Sequence, residues 1–289
     1  MMLCKNPFRR AHITNKEAVL RSSKVRLDAT PFPCGQCIPC RINKSRVWQT
    51  RLMLEGMMWT QKVFITLTYK DEEIPEDGLS KKDIQNFVKY LRRRMDPNTI
   101  RYFIVGEYGP RTDRPHYHGI LYNVSEVDSE IIKEVWSKGF VMVGNLTKQS
   151  ARYVVGYVMK GIGDKRDDGK TDQFMLCSKG CKKFKGGIGY SAAKAIGEKL
   201  EGKIQKPIRS VCIGGAKFPL GRYLTKVVNE SAGISDEQMW EDFSEYQEDL
   251  FDMFMANGEN FDTNLRDSVE GKVRRKEKLN HLFGRKETL

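Results

Sequence analysis

The sequence predicts an α+β fold, a mainly antiparallel sheet with helices packed on one face. Segments rich in β-branched and aromatic residues alternate with segments of helical periodicity, in the order β-α-β-β-α-β-α. In addition, the short, turn-rich segment 108–114 joins two of the strand-like segments, which is typical of an antiparallel hairpin. A sheet built around that hairpin is the expected core.

The individual elements follow from periodicity and from capping residues. Helical patterns are expected at 41–60, after the N-cap Ser80 as far as Met95, at 126–137, and from a Thr147 cap to Gly161. Strands are expected at 63–69, 100–107, 115–123 and 140–143. After Gly161 the pattern weakens, although 236–255 has the pattern of an acidic helix with aromatic side chains and 272–286 that of a basic helix.

These patterns suggest four regions. We expect a Cys-rich N-terminal region at 1–60 and the central α+β core at 61–165. A basic, Gly-rich extension would follow at 166–228, and the acidic helix with a basic tail at 229–289. The core is therefore expected to carry N-terminal and C-terminal appendages.

The charge of the chain is large and unevenly distributed. The formal net charge is +13, but residues 229–262 hold 11 carboxylates and no Lys or Arg. All 50 Lys and Arg and the other 26 carboxylates lie outside this stretch, which leaves +24 there. Such a surface favours a polyanionic partner, nucleic acid first, although a Lys-rich protein without such a partner is the alternative.

Export and membrane insertion are not expected. The first residues lack the apolar segment of a signal peptide, and no stretch approaches the roughly 20 apolar residues of a membrane span. Seven cysteines, an odd number, argue against a disulfide framework. A reducing cytoplasm and no membrane partner are the expectation.

Two of the four histidines, His116 and His118, are two residues apart in a predicted strand. Alternate strand residues share a face, so both imidazoles can reach one cation while Tyr117 points into the core. Glu107 ends the preceding hairpin strand and would complete a His₂-carboxylate site. Such a set with open positions suits Mg²⁺ or Mn²⁺ engaging a phosphate; chance spacing of two histidines is the alternative.

The predicted helix after Thr147 carries Tyr153, Tyr157 and Lys160 within an arc of roughly 60° at about 100° per residue. A valine stripe at 154, 155 and 158 occupies a different arc, so the tyrosines do not belong to the apolar face. A phenol is a weak nucleophile until a cation assists it, and Lys160 can supply one. Gly156, costly in a helix, suggests close approach by another group.

The N-terminal cysteines have metal-ligand spacing. Cys34, Cys37 and Cys40 follow the pattern Cys-x₂-Cys-x₂-Cys, and a closed tetrahedral Zn²⁺ site needs a fourth ligand. Cys4 is the first candidate and His12 the second. An iron–sulfur cluster and three reduced thiols without metal are the alternatives, while Cys177 and Cys181 are expected to be unpaired thiols.

Three motifs, taken in order, resemble those of the HUH endonucleases that initiate rolling-circle replication. They are Phe-Ile-Thr-Leu-Thr-Tyr at 64–69, Arg-Pro-His-Tyr-His at 114–118, and Tyr153-x₃-Tyr157-x₂-Lys160. The cysteine-rich stretch at 33–41 narrows the resemblance to the replication initiators of gokushovirus-type microviruses, over residues 1–225.

The resemblance implies a ferredoxin- or RRM-like core and a Mg²⁺ or Mn²⁺ held by His116, His118 and Glu107. It further implies attack by one of the two tyrosines on single-stranded or origin DNA, with a 5′-phosphotyrosine link and a free 3′-OH. The second tyrosine would cleave again so that the displaced strand is rejoined. Host DNA polymerase and helicase would be partners, in the cytoplasm of an infected bacterium.

Two other interpretations remain open at the level of sequence. A plasmid initiator, relaxase or single-strand transposase would use the same motifs. A non-catalytic, zinc-stabilised nucleic-acid-binding protein explains the charge and the cysteines, but it leaves the His-Tyr-His and Tyr-Tyr-Lys patterns without a role.

Overall fold

The computed structural model describes residues 4, 8–9, 31–95, 100–109, 112–146, 154, 156, 168–180, 185–255 and 270–271. Its contacts divide the chain into two compact units. One comprises Met1–Lys44, Gln205–Pro207 and Ile234–Leu289, and the other comprises Ser45–Ile204 and Ile208–Gly233. The domain boundaries drawn from the sequence stay predictions.

The described strands and helices are numbered in chain order. The strands are β1 (Phe8–Arg9), β2 (Pro31–Phe32), β3 (Lys62–Thr68), β4 (Arg101–Tyr108), β5 (Pro115–Tyr122), β6 (Val141–Asn145), β7 (Phe174–Cys177), β8 (Ser210–Ile213) and β9 (Ala216–Pro219). The helices are α1 (Ile38–Met57), α2 (Lys81–Arg94), α3 (Ser129–Val135), α4 (Tyr190–Leu200), α5 (Gly221–Ser231) and α6 (Asp236–Met255).

The main sheet has five strands in the order β6-β3-β5-β4-β7, and all neighbouring pairs are antiparallel. The predicted α+β class is therefore confirmed, as is the β4–β5 hairpin at its centre. The edge strand β7 was not predicted. It has only four residues and pairs with β4 far earlier in the chain, so no local pattern indicates it.

One face of the sheet carries the larger apolar core. Val63, Ile65 and Leu67 of β3 lie in this cluster together with the buried sides of α2 and α3. Helix α2 begins as predicted, since the Ser80 side chain accepts a hydrogen bond from the Asp83 backbone N–H. Its apolar residues recur at helical spacing and point into this core.

The opposite face is also covered by helix, which corrects the expectation that helices pack on one face alone. There Phe64 and Ile120 pack with Trp48 and Leu52 of α1 and with the helical residue Val154. The reason is that the sheet strands are apolar on both sides, so the alternate residues of β3 and β5 also need cover.

Helix α3 is shorter than predicted, for two local reasons. Residues Glu126–Asp128 form a 3₁₀ turn, which is capped by reciprocal hydrogen bonds between Ser125 and Asp128. At the other end Trp136 leaves the helix, is buried in the core, and its indole N–H donates to the Thr68 carbonyl at 2.9 Å. The indole therefore fastens the end of α3 to the end of β3.

Residues 185–233, where the sequence pattern was weak, contain α4, the β8–β9 hairpin and α5. Helices α4 and α5 share a small apolar cluster with Leu54 of α1. Gly197 makes their close approach feasible, since a Cβ there would lie 2.3 Å from the Val228 carbonyl oxygen. The core of this region depends on tertiary contact rather than on long apolar runs.

A buried ion pair links α1 to the start of β4. The Arg101 Nε donates to Glu55 Oε1 at 2.5 Å, with side chains only 5% and 4% exposed. Glu55 also accepts hydrogen bonds from the Gly189 backbone N–H at 2.7 Å and from the Trp59 indole at 3.1 Å. The carboxylate is thus fully engaged by three different segments of the chain.

The acidic helix is confirmed as α6, and Ser235 and Gln238 cap its first turn reciprocally. Trp240 and Tyr246 on it are each 45% exposed. The predicted basic helix at 272–286 lies outside the described residues. Among those that are described, no helix is both long enough and apolar enough to cross a bilayer.

Replacing Arg101 by Ala should destabilise the protein strongly. The substitution leaves the Glu55 carboxylate buried without its cation, which costs about 3–5 kcal/mol of unfolding free energy. Urea denaturation followed by circular dichroism measures this. Arg94→Ala is the matched control, because its pair with Glu134 is more than half exposed and is worth at most about 1 kcal/mol. Equal losses in the two variants would contradict the structural role of the buried pair.

Candidate functional site

The pairing of β4 with β5 sets Glu107 directly opposite His116. His118 is opposite Val105 on β4 and Thr66 on β3, so it shares a sheet face with His116 and Glu107. Tyr117 points to the other face and is completely buried, as expected. The three predicted ligands therefore lie together on the face that carries Phe64 and Ile120, here called the histidine face.

Glu107 and His118 are in direct contact. The Glu107 Oε1 lies 3.3 Å from His118 Nε2, and both residues are buried, with 9% and 7% of their surface exposed. The ring of His116 is parallel to that of His118, at 6.4 Å between centroids, and is only partly buried. The site is therefore closed on the Glu107–His118 side and open beside His116.

Each imidazole is oriented by a second group. His118 Nδ1 shares a hydrogen bond with the Thr66 hydroxyl at 3.0 Å, and the Phe64 ring stacks on the imidazole at 6.1 Å. His116 Nδ1 lies 2.7 Å from the Arg114 carbonyl oxygen. Since a carbonyl only accepts, Nδ1 of His116 carries the proton and Nε2 offers its lone pair, as in histidines that bind metals.

The loop between β4 and β5 supports this orientation. The Arg114 carbonyl also accepts from the Gly109 backbone N–H at 2.9 Å. A Cβ on Gly109 would lie 3.1 Å from His116 Cε1, so a larger residue would press on the imidazole. The Arg114 guanidinium in turn donates to Asp71 and to the Tyr69 carbonyl, which ties the loop to the chain after β3.

Sequence reasoning did not assign a role to Thr66. A signal was present, since Thr66 and Thr68 are the polar positions of the otherwise apolar Val-Phe-Ile-Thr-Leu-Thr run at 63–68. Their even numbers place them on the face opposite Val63, Ile65 and Leu67. Polar alternation in a buried strand therefore points to the histidine face.

The Glu107–His118 spacing fits a shared divalent ion. Two atoms bound at about 2.0–2.2 Å, subtending roughly 90–110° at the ion, lie about 2.8–3.6 Å apart, and the observed 3.3 Å falls in this range. His116 would have to tilt toward His118 to join them, given the 6.4 Å between the rings. Within the described residues, the four N-terminal cysteines are the one set of ligand atoms that all lie within 4.8 Å of one another.

The predicted tyrosines, Tyr153 and Tyr157, and Lys160 lie outside the described residues. Of their neighbours, Val154 is helical, completely buried, and packed in the apolar cluster of the histidine face. This agrees with the predicted core side of that helix. A Cβ on Gly156 would meet no atom within 4 Å, so the described protein makes no close approach to this glycine.

The cysteine cluster forms as the spacing predicted, with Cys4 as the fourth member. The Cys4 and Cys37 sulfurs are 3.6 Å apart, against about 3.8 Å between thiolates on one tetrahedral zinc. His12, the second candidate, lies outside the described residues. The cluster could hold a metal ion such as zinc.

Backbone N–H groups also point at the sulfurs of this cluster. Cys34 N–H donates to Cys4 Sγ and Cys37 N–H donates to Cys34 Sγ, both at 3.3 Å. Burial raises the pKa of the Cys34 thiol, but hydrogen bonds, chiefly from the Cys37 and Gln36 backbone, lower that pKa to about 7. Such donors favour the thiolate form that binds metals.

Comparison with known proteins gives a family match at the centre of the chain. Residues 62–162 match the family model of the phage-type replication-associated protein ORF2. This segment contains β3 to β6 and all six predicted metal and nucleophile residues, which are Glu107, His116, His118, Tyr153, Tyr157 and Lys160.

Three phage proteins are similar to the chain. Replication-associated protein VP4 of Bdellovibrio phage phiMH2K is 32% identical over 190 residues, which cover 57% of this chain and 60% of that protein. Replication-associated protein ORF2 of Spiroplasma virus 4 is 32% identical over 157 residues, covering 46% and 49% respectively. Replication-associated protein ORF4 of Chlamydia phage 1 is 27% identical over 152 residues, covering 45% and 38%.

The chain thus spans about half the length of these relatives. No solved structure matches it. The resemblance to phage replication proteins, indicated by the sequence motifs, is confirmed by the family model and by the three relatives.

Proposed function

We propose that this relative of phage replication-associated proteins initiates rolling-circle DNA replication by nicking single-stranded or origin DNA with a tyrosine. The observation that carries the proposal is the contact of Glu107 with His118, beside a partly open His116, inside the matched segment. Two imidazoles and one carboxylate with open positions are a typical set for a metal that must still bind substrate.

In this proposal Glu107, His116 and His118 hold Mg²⁺ or Mn²⁺. When bound, the ion supplies Lewis-acid polarisation of the scissile phosphate. The chain contributes fixed ligand orientation, since Thr66 and the Arg114 carbonyl each engage the Nδ1 of one imidazole. Burial of Glu107 and His118 keeps water away from one side, and His116 faces the side where DNA enters.

The nucleophile would be Tyr153 or Tyr157. Val154 lies between them in sequence, and its burial on the histidine face supports placing this helix near the proposed ligands. Tyr117, although it separates the two histidines, is unsuited, because burial raises its pKa to about 12 and its hydroxyl bonds to Tyr69. Lys160 would stabilise the phenolate in this scheme.

The proposed reaction is a transesterification. The phenolate oxygen attacks the phosphorus, the bond to the 3′ oxygen breaks, and that oxygen leaves as a 3′-OH after taking up a proton. The product is a 5′-phosphotyrosine, and attack on it by a 3′-OH reverses the step and rejoins the strand. A second tyrosine would allow two successive transfers, with host polymerase and helicase acting on the strand between them, in the bacterial cytoplasm.

A second candidate is a zinc-stabilised nucleic-acid-binding protein without catalysis, which the cysteine cluster favours. It shares the zinc site with the first proposal but predicts no covalent product. Plasmid initiators, relaxases and transposases are less favoured, since the three similar proteins are those of phages.

Incubation with labelled circular single-stranded DNA and Mn²⁺ should give a protein–DNA adduct that survives denaturation. Tyr153→Phe and Tyr157→Phe should each reduce the adduct, and the double variant should abolish it, because phenylalanine offers no oxygen nucleophile. Tyr90→Phe, at an exposed tyrosine of α2, is the control. An adduct of normal yield in the double variant would refute the assigned nucleophiles, and no adduct with any DNA or metal would favour the non-catalytic alternative.

Metal binding can be measured separately from nicking. Glu107→Gln removes the anionic ligand and should weaken Mn²⁺ binding, followed by electron paramagnetic resonance, by at least about tenfold. Thr66→Val keeps the ligands but frees the His118 ring, for which outer-shell substitutions typically cost about 10–100-fold in affinity. Glu134→Gln, an exposed carboxylate on α3, serves as the control. Unchanged affinity in Glu107→Gln would show that the ion binds elsewhere.

We also infer that Cys4, Cys34, Cys37 and Cys40 hold a structural Zn²⁺. Elemental analysis of the purified protein should give about one zinc per chain, and Cys37→Ser should lose it. Cys212→Ser, at an exposed free thiol, should retain it. Iron in place of zinc would support the cluster alternative, whereas metal-free protein of normal stability would support four reduced thiols.

A further inference from the structure

Two large apolar side chains on β6 and just before it are exposed. Phe140 is 73% exposed and Met142 is 58% exposed. Met142 is opposite Thr66 in the register of β6 with β3, and Thr66 is opposite His118. By the same register Phe140 falls opposite Thr68, whose other neighbour is His116. Both apolar side chains therefore belong to the histidine face.

The alternate residues of β6 confirm this orientation. Val141 and Val143 pack against the large apolar core on the opposite face, so Phe140 and Met142 point away from it. Two strand spacings of about 4.8 Å separate the backbone of β6 from that of β5, which is roughly 10 Å. A chain bound through one phosphate near His116 can therefore extend over these two side chains.

The exposed phenyl ring stands on a rigid backbone. The Phe140 carbonyl accepts from the Thr68 N–H at 3.0 Å, and the Lys138 carbonyl accepts from the Lys70 N–H at 2.8 Å. Between these bonds a Cβ on Gly139 would lie 2.1 Å from the Thr68 carbonyl oxygen, so the two backbones are in close contact. Phe140 is held in place without being buried, which is unfavourable unless a ligand covers it.

We propose that Phe140, with Met142 beside it, is a stacking surface for a base of single-stranded DNA next to the phosphate bound at Glu107, His116 and His118. The inference rests on the proposed function and adds to it the residues that hold the strand. Stacking on an aromatic side chain suits any base, because every base has a π face.

Charge favours nucleic acid as the occupant. Outside residues 229–262 the chain carries a net +24, which attracts a polyanion at long range. Close to Phe140, the exposed Lys70 directly follows the strand to which Phe140 is tied. An apolar ring beside an exposed lysine matches the alternation of base and phosphate along a single strand.

The test is equilibrium binding of a fluorescein-labelled oligothymidylate, measured by anisotropy in EDTA so that no cleavage occurs. Phe140→Ala should weaken binding about 5- to 100-fold, as expected for loss of one stacked base, while Phe140→Trp should bind as well as the parent or better. Tyr90→Ala, an exposed aromatic on α2 at the other face of the sheet, should bind normally. Circular dichroism checks that each variant is folded.

An oligonucleotide series with single abasic sites provides the second arm. At one position the missing base should weaken binding to the parent protein but not to Phe140→Ala, since the contact is already lost. Binding of Phe140→Ala equal to the parent would overturn the inference, and so would an equal abasic penalty in both proteins at every position. Failure of adduct formation would instead refute the nicking proposal, because the binding assay does not depend on it.

Discussion

The register between β4 and β5 is the constraint on which the candidate site depends. Side chains alternate with a period of two along a strand, so a slip of one residue would move both histidines into the apolar core and Tyr117 out of it. Burial of Tyr117 and Leu121 on one face and of Ile120 on the other resists such a slip. Gly119 adds to this, since a Cβ there would lie 2.7 Å from Ile104 Cγ1. The packing of the hairpin thus also positions Glu107 opposite His116.

The histidine face is divided along its length. At the Ile120 end, Trp48 and Leu52 of α1 and Val154 cover it, and the Glu55–Arg101 pair joins α1 to β4 there. Toward the other end the apolar residues give way to polar side chains at Thr66, Thr68 and Glu107, and the exposed ring of Phe140 flanks them. The covered half supplies stability, and the open half is left for a ligand.

Most of the central fold and the grouping of the candidate ligands followed from local patterns. Strand composition, the Ser80 cap and the hairpin turn are properties of short segments, and the ligand spacing on β4 and β5 follows from strand periodicity. The cysteine pattern similarly indicated Cys4 as the partner of the other three, which the structure brings together.

What the patterns missed depends on distant contacts. Strand β7 is defined by its pairing with β4, and α4 packs through Gly197 against Val228 of α5. The second helical layer was missed for the same reason, since α1 covers strands that follow it in sequence. Thr66 acquires its role only through His118, 52 residues away. Such features are invisible to windows of about ten to twenty residues.

The contrast between the two buried carboxylates of the sheet region bears on the chemistry. Glu55 faces a guanidinium and two N–H donors, so its charge is balanced permanently and its role is structural. Glu107 faces the Nε2 of an imidazole at 3.3 Å. Unlike a guanidinium, an imidazole nitrogen can offer a lone pair, so the two groups can bind one cation between them. Since burying a carboxylate is unfavourable without compensation, an exchangeable cation can balance Glu107 while leaving positions open for a phosphate.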